Sequence, residues 1–146
     1  MIKKIALVTG GFDPLHSGHI KYFNSAKKLA DYLVVGVNSD EWLIRKKGNF
    51  FLPCKERLVI LNALSVIDET IVFNDNDDTA VEAIYCLKNQ YEDSKIIFCN
   101  GGDRSIKNIP EYKVFSQDEQ MIFEFGVGGV EKLNSSSKIL EKWKQK

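Results

Sequence analysis

Residues 5–19 read Ile5-Ala-Leu-Val-Thr-Gly-Gly-Phe-Asp-Pro-Leu-His-Ser-Gly-His19 and combine three local patterns. The continuous apolar run over 5–8 is typical of a strand buried on both faces of a parallel sheet. Gly10 and Gly11 stop that run and permit a sharp bend of the backbone. Over 18–31 the apolar residues fall on one helical face, at Ile20, Phe23, Ala26 and Ala30. The stretch therefore predicts a buried strand, a glycine-rich turn and an amphipathic helix.

The same alternation of strand and helix continues along the chain. The predicted strands cover 5–8, 33–37, 70–73, 95–99 and, more weakly, 120–125, and the predicted helices cover 18–31, 55–64, 79–90 and a last segment from Ser135 or Ser136. Thr79 is the predicted N-cap of the third helix. The predicted loops are 38–53, 100–118 and 126–134. We expect one α/β domain over 1–146, an open, mainly parallel five-stranded sheet with helices on both faces and ligands at the carboxyl ends of its strands.

Composition narrows the classes of function. The 146 residues are 44% hydrophobic and 27% charged, with 20 basic and 20 acidic side chains, so the formal net charge is zero. That balance disfavours a broad nucleic-acid-binding surface, which concentrates positive charge. Cys54, Cys86 and Cys99 are scattered without metal-ligand spacing, and no run is long enough to span a bilayer. We expect a cytoplasmic protein without membrane or nucleic-acid partners.

The two histidines of the chain, His16 and His19, both lie in the first turn. If the helix begins near Gly18, His19 sits beside unpaired backbone N–H groups that favour an anion. Gly10 and Gly11 let the backbone approach a ligand, and Gly18 leaves room for a phosphate. The alternative is a glycine-rich turn with two incidental surface histidines.

Two better-known phosphate-binding motifs do not fit this turn. A dinucleotide site needs G-x-G-x-x-G, but Gly10-Gly11 is followed by Phe12-Asp-Pro-Leu15. The P-loop pattern G-x-x-x-x-G-K-[ST] is also missing. A nicotinamide-dependent oxidoreductase is therefore disfavoured, and the short, neutral chain disfavours an aminoacyl-tRNA synthetase.

The segment G-F-D-P-L-H-S-G-H at 11–19 resembles the G-x-F-D-x-x-H-x-G-H signature of the cytidylyltransferase-like nucleotidyltransferases. Glycerol-3-phosphate cytidylyltransferase and heptose-phosphate adenylyltransferase belong to that family. The resemblance implies a Rossmann-like fold in which His16 and His19 contact the triphosphate and stabilise the transition state. It places the nucleotide against the signature residues Gly10, Gly11, Phe12, Asp13 and Gly18.

The same resemblance implies roles for further residues. Three adjacent cations, Arg45, Lys46 and Lys47, follow Asp40 and are expected to form a mobile flap over the triphosphate, with Lys46 as the contacting residue. Asp40 is expected to bind the acceptor or orient the flap, and Arg57 to face the phosphates. The alternatives are a solvated basic stretch and a helix-surface arginine paired with a neighbouring acid.

Two later segments are expected to bind the nucleotide. Gly101 and Asp103 follow the fourth strand, where a carboxylate beside glycines suits a ribose hydroxyl or a base amino group. Ser135, Ser136 and Ser137 match the I-S-T-T motif of the family, at a helix N-terminus that forms a phosphate cradle. The alternatives are an ordinary tight turn and a capping cluster.

One departure from the family concerns the base. Cytidylyltransferases carry an arginine shortly before the I-S-T-T motif, whereas this chain has Val130-Glu-Lys-Leu-Asn-Ser135. Lys132 is a possible substitute, and the heptose adenylyltransferases also lack the arginine. The sequence therefore leaves CTP and ATP open.

These observations predict transfer of CMP or AMP from CTP or ATP to a small phosphorylated acceptor, such as a sugar or polyol phosphate, with release of pyrophosphate. We expect Mg²⁺ as cofactor, held through substrate phosphates and water rather than by a set of protein ligands. Relatives of the family are commonly dimers, so the resemblance also allows a homodimer. The alternative function is a nucleotide-binding sensor of the same fold that does not turn over.

Overall fold

The computed structural model describes residues 2–102, 104–129 and 135–145. Its strands are β1 (Lys4–Gly10), β2 (Tyr32–Val37), β3 (Glu69–Val72), β4 (Lys95–Cys99) and β5 (Met121–Glu124). Its helices are α1 (Ser17–Lys27), α2 (Asp40–Lys47), α3 (Cys54–Asn62), α4 (Val81–Gln90), α5 (Pro110–Phe115) and α6 (Ser136–Lys144), with a 3₁₀ turn at Ile106–Asn108.

The five strands form one open sheet in the order β3-β2-β1-β4-β5, and every neighbouring pair is parallel. In β1, Ile5 is aligned with Tyr32 of β2 on one side and with Ile96 of β4 on the other. The chain moves outward from β1 in one direction to β2 and β3, then crosses back to β4 and β5. The predicted α/β fold class is confirmed, and the topological switch point lies between β1 and β4.

Helices cover both faces of the sheet, as the near-continuous apolar strands require. On one face Leu7 and Phe98 pack in a core with Ile84 of α4 and Phe115 of α5. On the other face Val8 and Val35 pack with Phe23 of α1 and Leu61 of α3. We refer below to the α4/α5 face and the α1/α3 face of the sheet.

The predicted loop 38–53 is wrong in part, because it contains α2. The Ser39 hydroxyl accepts a hydrogen bond from the Trp42 N–H, and Gly48 ends the helix with a φ of 87°. Acidic residues occupy the first turn of α2 and basic residues its last turn, which suits the helix dipole. Leu43 is the buried residue of the helix, so the sequence carries little apolar periodicity there.

Other predicted boundaries also differ, and the helix predicted over 18–31 ends at Lys27. The predicted loop 100–118 contains the 3₁₀ turn and α5, which begins at Pro110, a favoured residue in a first helical turn. The helix predicted over 79–90 begins at Val81, and its N-cap is Ala80 rather than Thr79. Residues 130–134 of the predicted loop 126–134 lie outside the described residues. Within the described part of the chain, no helix is both long and apolar enough to cross a membrane.

Candidate active site

A cavity of about 370 Å³ opens at the carboxyl edge of the sheet. Its wall combines residues that follow β1, β2 and β4 with the residues that lead into α4. The cavity thus lies at the switch point between β1 and β4, where open α/β sheets bind ligands. The sequence prediction of a ligand site at this edge of the sheet agrees with the position of the cavity.

The two histidines cap the N-terminus of α1 reciprocally. The Gly18 N–H donates to Nδ1 of His16 over 3.0 Å, and the His16 N–H donates to Nδ1 of His19 over 3.2 Å. The imidazole rings stack with their centroids 3.9 Å apart. Because Nδ1 accepts a hydrogen bond in each ring, the neutral imidazoles carry their proton on Nε2. The pair therefore supplies two side-by-side N–H donors at a helix N-terminus, which is a suitable environment for an anion.

The structure keeps these rings neutral in the absence of a ligand. Burial, the neighbouring His16 and the positive charge of Lys47 lower the pKa of His19 to about 4. Burial and Lys47 also lower the pKa of His16 from its usual value. An incoming polyanion stabilises the charged form of both rings and raises both pKa values. The histidines can therefore take up positive charge when a phosphate chain arrives.

Phe12 and the two glycines build the wall behind His19. The Phe12 ring is buried and packs edge-on against His19, with ring centroids 5.1 Å apart. A Cβ on Gly10 would stand 2.9 Å from the Phe12 ring, and a Cβ on Gly11 would stand 2.8 Å from Leu43. These positions need glycine because the wall is tightly packed. Gly10, Gly11 and Phe12 all line the cavity.

Asp13 and Gly18 have structural partners of their own. The Asp13 carboxylate is 1% exposed and accepts hydrogen bonds from the backbone N–H groups of Phe51, at 2.6 Å, and Leu52, at 2.7 Å. It therefore ties the segment before α3 to the turn after β1. The Gly18 N–H is occupied by His16. Their predicted contacts with the nucleotide stay predictions.

Arg57 lies inside the protein at 1% exposure, although it was predicted to face the phosphates. Its guanidinium donates to the carbonyls of Leu52, Gly11 and Asn38 and to Oδ1 of Asp40, over 2.7 to 2.9 Å. Asp40 also accepts from the Cys54 N–H over 2.8 Å. Arg57 and Asp40 therefore join the segments after β1 and β2 to the start of α3. This network fixes both side chains, and their predicted roles at the phosphates and the acceptor stay predictions.

The three adjacent cations point in different directions. Arg45 donates to the Asp75 carbonyl over 2.7 Å and pairs with Asp78 over 3.0 Å. Lys46 lies over the Trp42 ring, 5.8 Å from its centroid. Lys47 is the cation close enough to lower the pKa of His16 and His19. Lys47 is therefore the cation beside the histidines, and the predicted contact of Lys46 with the triphosphate stays a prediction.

Only some of the residues that were predicted to bind the nucleotide in the last third of the chain lie at the cavity. Gly101 lines the cavity, and a Cβ there would stand 3.2 Å from the carbonyl of Val127. The Ser136 hydroxyl donates to the Pro14 carbonyl over 2.8 Å, so α6 begins beside the histidine turn. Ser135 caps α6 and Ser137 is exposed in its first turn. Asp103 and Lys132 lie outside the described residues.

Some cavity residues carried no signal in the sequence. Tyr22 of α1 donates its hydroxyl to the Cys99 carbonyl over 2.8 Å, and burial raises the pKa of this phenol. Asn38 donates to Asp75 over 3.0 Å. Trp42 and Glu111 also line the cavity. Tyr22 lies three residues after His19, so helical spacing could have placed it on the same face of α1, whereas the positions of the others depend on tertiary contacts.

No three histidine, cysteine or acidic side chains of the described residues form a group that could hold a metal ion. A divalent cation at this site would therefore need ligands from substrate phosphates and water, which is how Mg²⁺ is commonly bound beside nucleotides.

Comparison with known sequences identifies relatives over almost the whole chain. The sequence model of the family described as cytidylyltransferase-like matches residues 7–140. The bifunctional protein HldE of Campylobacter jejuni subsp. jejuni serotype O:2 is 37% identical over 146 residues, and that of Helicobacter pylori strain HPAG1 is 35% identical over 145 residues. The alignments cover 99% and 98% of this chain but 28% of each relative. The chain thus spans little more than a quarter of these curated relatives.

Solved structures share the same arrangement of strands and helices. The lipopolysaccharide core biosynthesis protein from Thermoplasma volcanium aligns with a TM-score of 0.65 at 24% identity, over 92% of this chain and 100% of that chain. A putative nicotinate-nucleotide adenylyltransferase from Vibrio parahaemolyticus aligns with a TM-score of 0.68 at 16% identity, over 98% and 88% of the two chains. At these identities the likeness shows the fold alone.

Proposed function

Since the chain belongs to the cytidylyltransferase-like family, a family of nucleotidyltransferases, we propose that it joins CMP or AMP to a small phosphorylated acceptor. An oxygen of the acceptor phosphate attacks the α-phosphorus of the triphosphate and forms the new P–O bond. The bond from the α-phosphorus to the bridging oxygen breaks, and pyrophosphate leaves with that electron pair. The acceptor phosphate is already anionic near neutral pH, so the reaction requires no strong general base.

The reciprocal cap formed by His16 and His19 is the observation that carries this proposal. It holds two imidazoles side by side at the N-terminus of α1, next to the cavity and to Lys47. Donors fixed in this way stabilise charge that develops on phosphate oxygens, and they need no reorganisation during the reaction. Phosphoryl-type transfer depends mainly on such positioning and charge stabilisation.

The wall behind the histidines supports the same chemistry. Phe12 fixes His19 from behind, while the buried Arg57 fixes the backbone at Gly11 and Asn38. Since Gly11 and Asn38 both line the cavity, the network of Arg57 defines its shape. We propose that Gly101 and the N-terminus of α6 contribute to the nucleotide side of the site. Bound Mg²⁺ would add positive charge to the triphosphate, held by the phosphates and water.

Pyrophosphate release tests the proposal. The protein is incubated with Mg²⁺ and with CTP or ATP, each against a panel of sugar phosphates, polyol phosphates and amino-acid phosphates. We expect release that needs one triphosphate and one acceptor, with formation of the matching nucleoside-diphosphate conjugate. Tight nucleotide binding without release for any pair would contradict transfer and favour a nucleotide sensor of the same fold.

A further inference from the structure

Glu111 is an ionisable residue of the cavity wall that the proposed reaction does not use. It lies in the first turn of α5 and is 3% exposed. Its Oε2 accepts a hydrogen bond from the Ala80 N–H over 2.7 Å. Its Oε1 is the one buried side-chain oxygen or nitrogen of the described residues that has no hydrogen-bond partner.

An unpaired buried carboxylate oxygen is unusual in a folded protein. Most buried polar atoms have a partner, and each exception calls for an explanation, such as a functional role or a bound water or ion. The second oxygen already fixes Glu111 to the start of α4, so the side chain does not need Oε1 for its structural contact. Glu111 lines the cavity, so it borders the space that a ligand would fill.

The cavity has two ends, one on each face of the sheet. Phe12, Tyr22 and His19 belong to the α1/α3 face, where the histidine cap and the start of α6 lie. Ala80 and Glu111 belong to the α4/α5 face. In the proposed reaction the triphosphate lies at the histidine cap and the rest of the nucleotide at Gly101 and the start of α6. The end of the cavity at α4 and α5 is then left for the part of the acceptor that lies away from its phosphate.

The charges at the α4/α5 end of the cavity limit which groups of a ligand can bind there. Asp78 and Thr79 line the cavity next to Ala80. Asp78 is paired with Arg45, so among the described residues Glu111 is the carboxylate of this end without an ion-pair partner. A second phosphate or a carboxylate of the ligand would meet like charge there. A hydroxyl or amino group would instead donate the hydrogen bond that Oε1 lacks.

We propose that Glu111 is a specificity-determining residue, whose Oε1 accepts a hydrogen bond from a hydroxyl or amino group of the acceptor, at a distance from its phosphate. This inference rests on the proposed function, because it assigns the cavity end opposite the histidines to the acceptor. A site built to bind such a group rejects an analogue that lacks it, because the carboxylate then stays buried and unpaired.

The test compares pairs of phosphates that differ only in hydroxyl groups. The probes are glycerol 3-phosphate with propyl phosphate, and myo-inositol 1-phosphate with cyclohexyl phosphate, measured by titration calorimetry with the non-reacting α,β-methylene analogue of CTP or ATP present. For the wild type we expect at least one hydroxylated probe to bind about 10-fold tighter than its partner, or more. In Glu111→Gln this preference falls below about 3-fold, while the Kd of the nucleotide changes by less than about 2-fold.

The glutamine variant is chosen because its amide oxygen can still accept the Ala80 N–H, whereas its amide nitrogen cannot accept a hydrogen bond. Glu119→Gln is the matched control, since Glu119 is exposed and outside the cavity wall, and we expect it to keep the wild-type preference. The ¹³C resonance of the Glu111 carboxyl carbon provides a measurement on the wild type itself. It should shift with the hydroxylated probe and not with its hydroxyl-free partner.

Equal binding within both probe pairs, or an unchanged preference in Glu111→Gln, would overturn the inference. Either result is distinct from failure of the proposed function, which would show as the absence of pyrophosphate release by the wild type with every triphosphate and acceptor.

Discussion

Nη2 of Arg57 lies 2.7 Å from Oδ1 of Asp40, and this ion pair connects α3 to the first residue of α2. The arginine side chain is fully buried, while the aspartate side chain is 28% exposed. Arg57 also donates to carbonyls of Leu52, Gly11 and Asn38, so four segments meet at one guanidinium. A side chain held by this many bonds shapes the cavity from behind rather than reaching into it.

We therefore expect Arg57→Lys to affect the stability of the protein more than its affinity for the nucleotide. A lysine cannot reproduce the planar fork of donors, and buried carbonyls would lose their partners. We expect the free energy of unfolding, measured by urea denaturation, to fall by about 3 kcal/mol or more. The control is Arg45→Lys, a partly exposed ion-pair residue, for which we expect a change below about 1 kcal/mol.

The result for Arg57→Lys that would contradict this expectation is specific. Unchanged stability together with a large increase in the Kd of the triphosphate would place the guanidinium on the phosphates, as the sequence predicted.

The cation beside the histidines gives a second prediction. Lys47 lowers the pKa of both imidazoles, whereas Lys46 lies over Trp42. We expect Lys47→Met to weaken triphosphate binding about 10-fold, the effect of losing one charged contact, and Lys46→Met to change it by less than about 3-fold. Titration of the His19 resonance should also show a higher pKa in Lys47→Met. The reverse order of the two variants in binding would support the sequence prediction of Lys46.

The strands were predictable because burial leaves a direct trace in the sequence. β1 and β2 are continuous apolar runs, and helices cover both of their faces. α2 was missed because its eight residues bury only Leu43, so it lacks the apolar stripe by which longer helices are recognised. Its caps, Ser39 and Gly48, were the signal that remained, and a run of basic residues between them resembled a solvated loop.

Spacing in the sequence placed site residues together only where they are close in the chain. His16 and His19 share one helical turn, so their spacing already placed them together. The contact of Glu111 with Ala80 joins residues 31 positions apart, and that of Asp13 with Leu52 joins residues 39 positions apart. Such contacts follow from the crossover of the chain between strands, which no local pattern records.

Because the pKa of His19 is low in the free protein, we predict that the protein takes up protons when it binds the nucleotide. In the free protein His19 is neutral above about pH 5, because its pKa is about 4. A bound triphosphate raises that pKa, so the complex carries more protons than the free protein and the affinity increases as the pH falls from 8 toward 5. Titration calorimetry of wild-type protein in buffers of different ionisation enthalpy measures the uptake.

His19→Gln is the control for this uptake, since glutamine at the third helical position can keep the bond to the His16 N–H. The variant should take up fewer protons than the wild type at the same pH. Equal uptake by both proteins would show that the protons go to the nucleotide or to other groups.

In the proposed reaction the imidazoles of the α1 cap stabilise the transferring phosphates, and the rate of pyrophosphate release by His16→Asn tests this role most directly. Asparagine is a favoured N-cap, so this variant removes the imidazole while it keeps the cap of α1. Ser17→Ala, at an exposed position of the same turn, is the control. We predict a loss in kcat on the order of 10²–10³ for His16→Asn and nearly unchanged activity for Ser17→Ala. A wild-type rate in a folded His16→Asn protein would contradict the account.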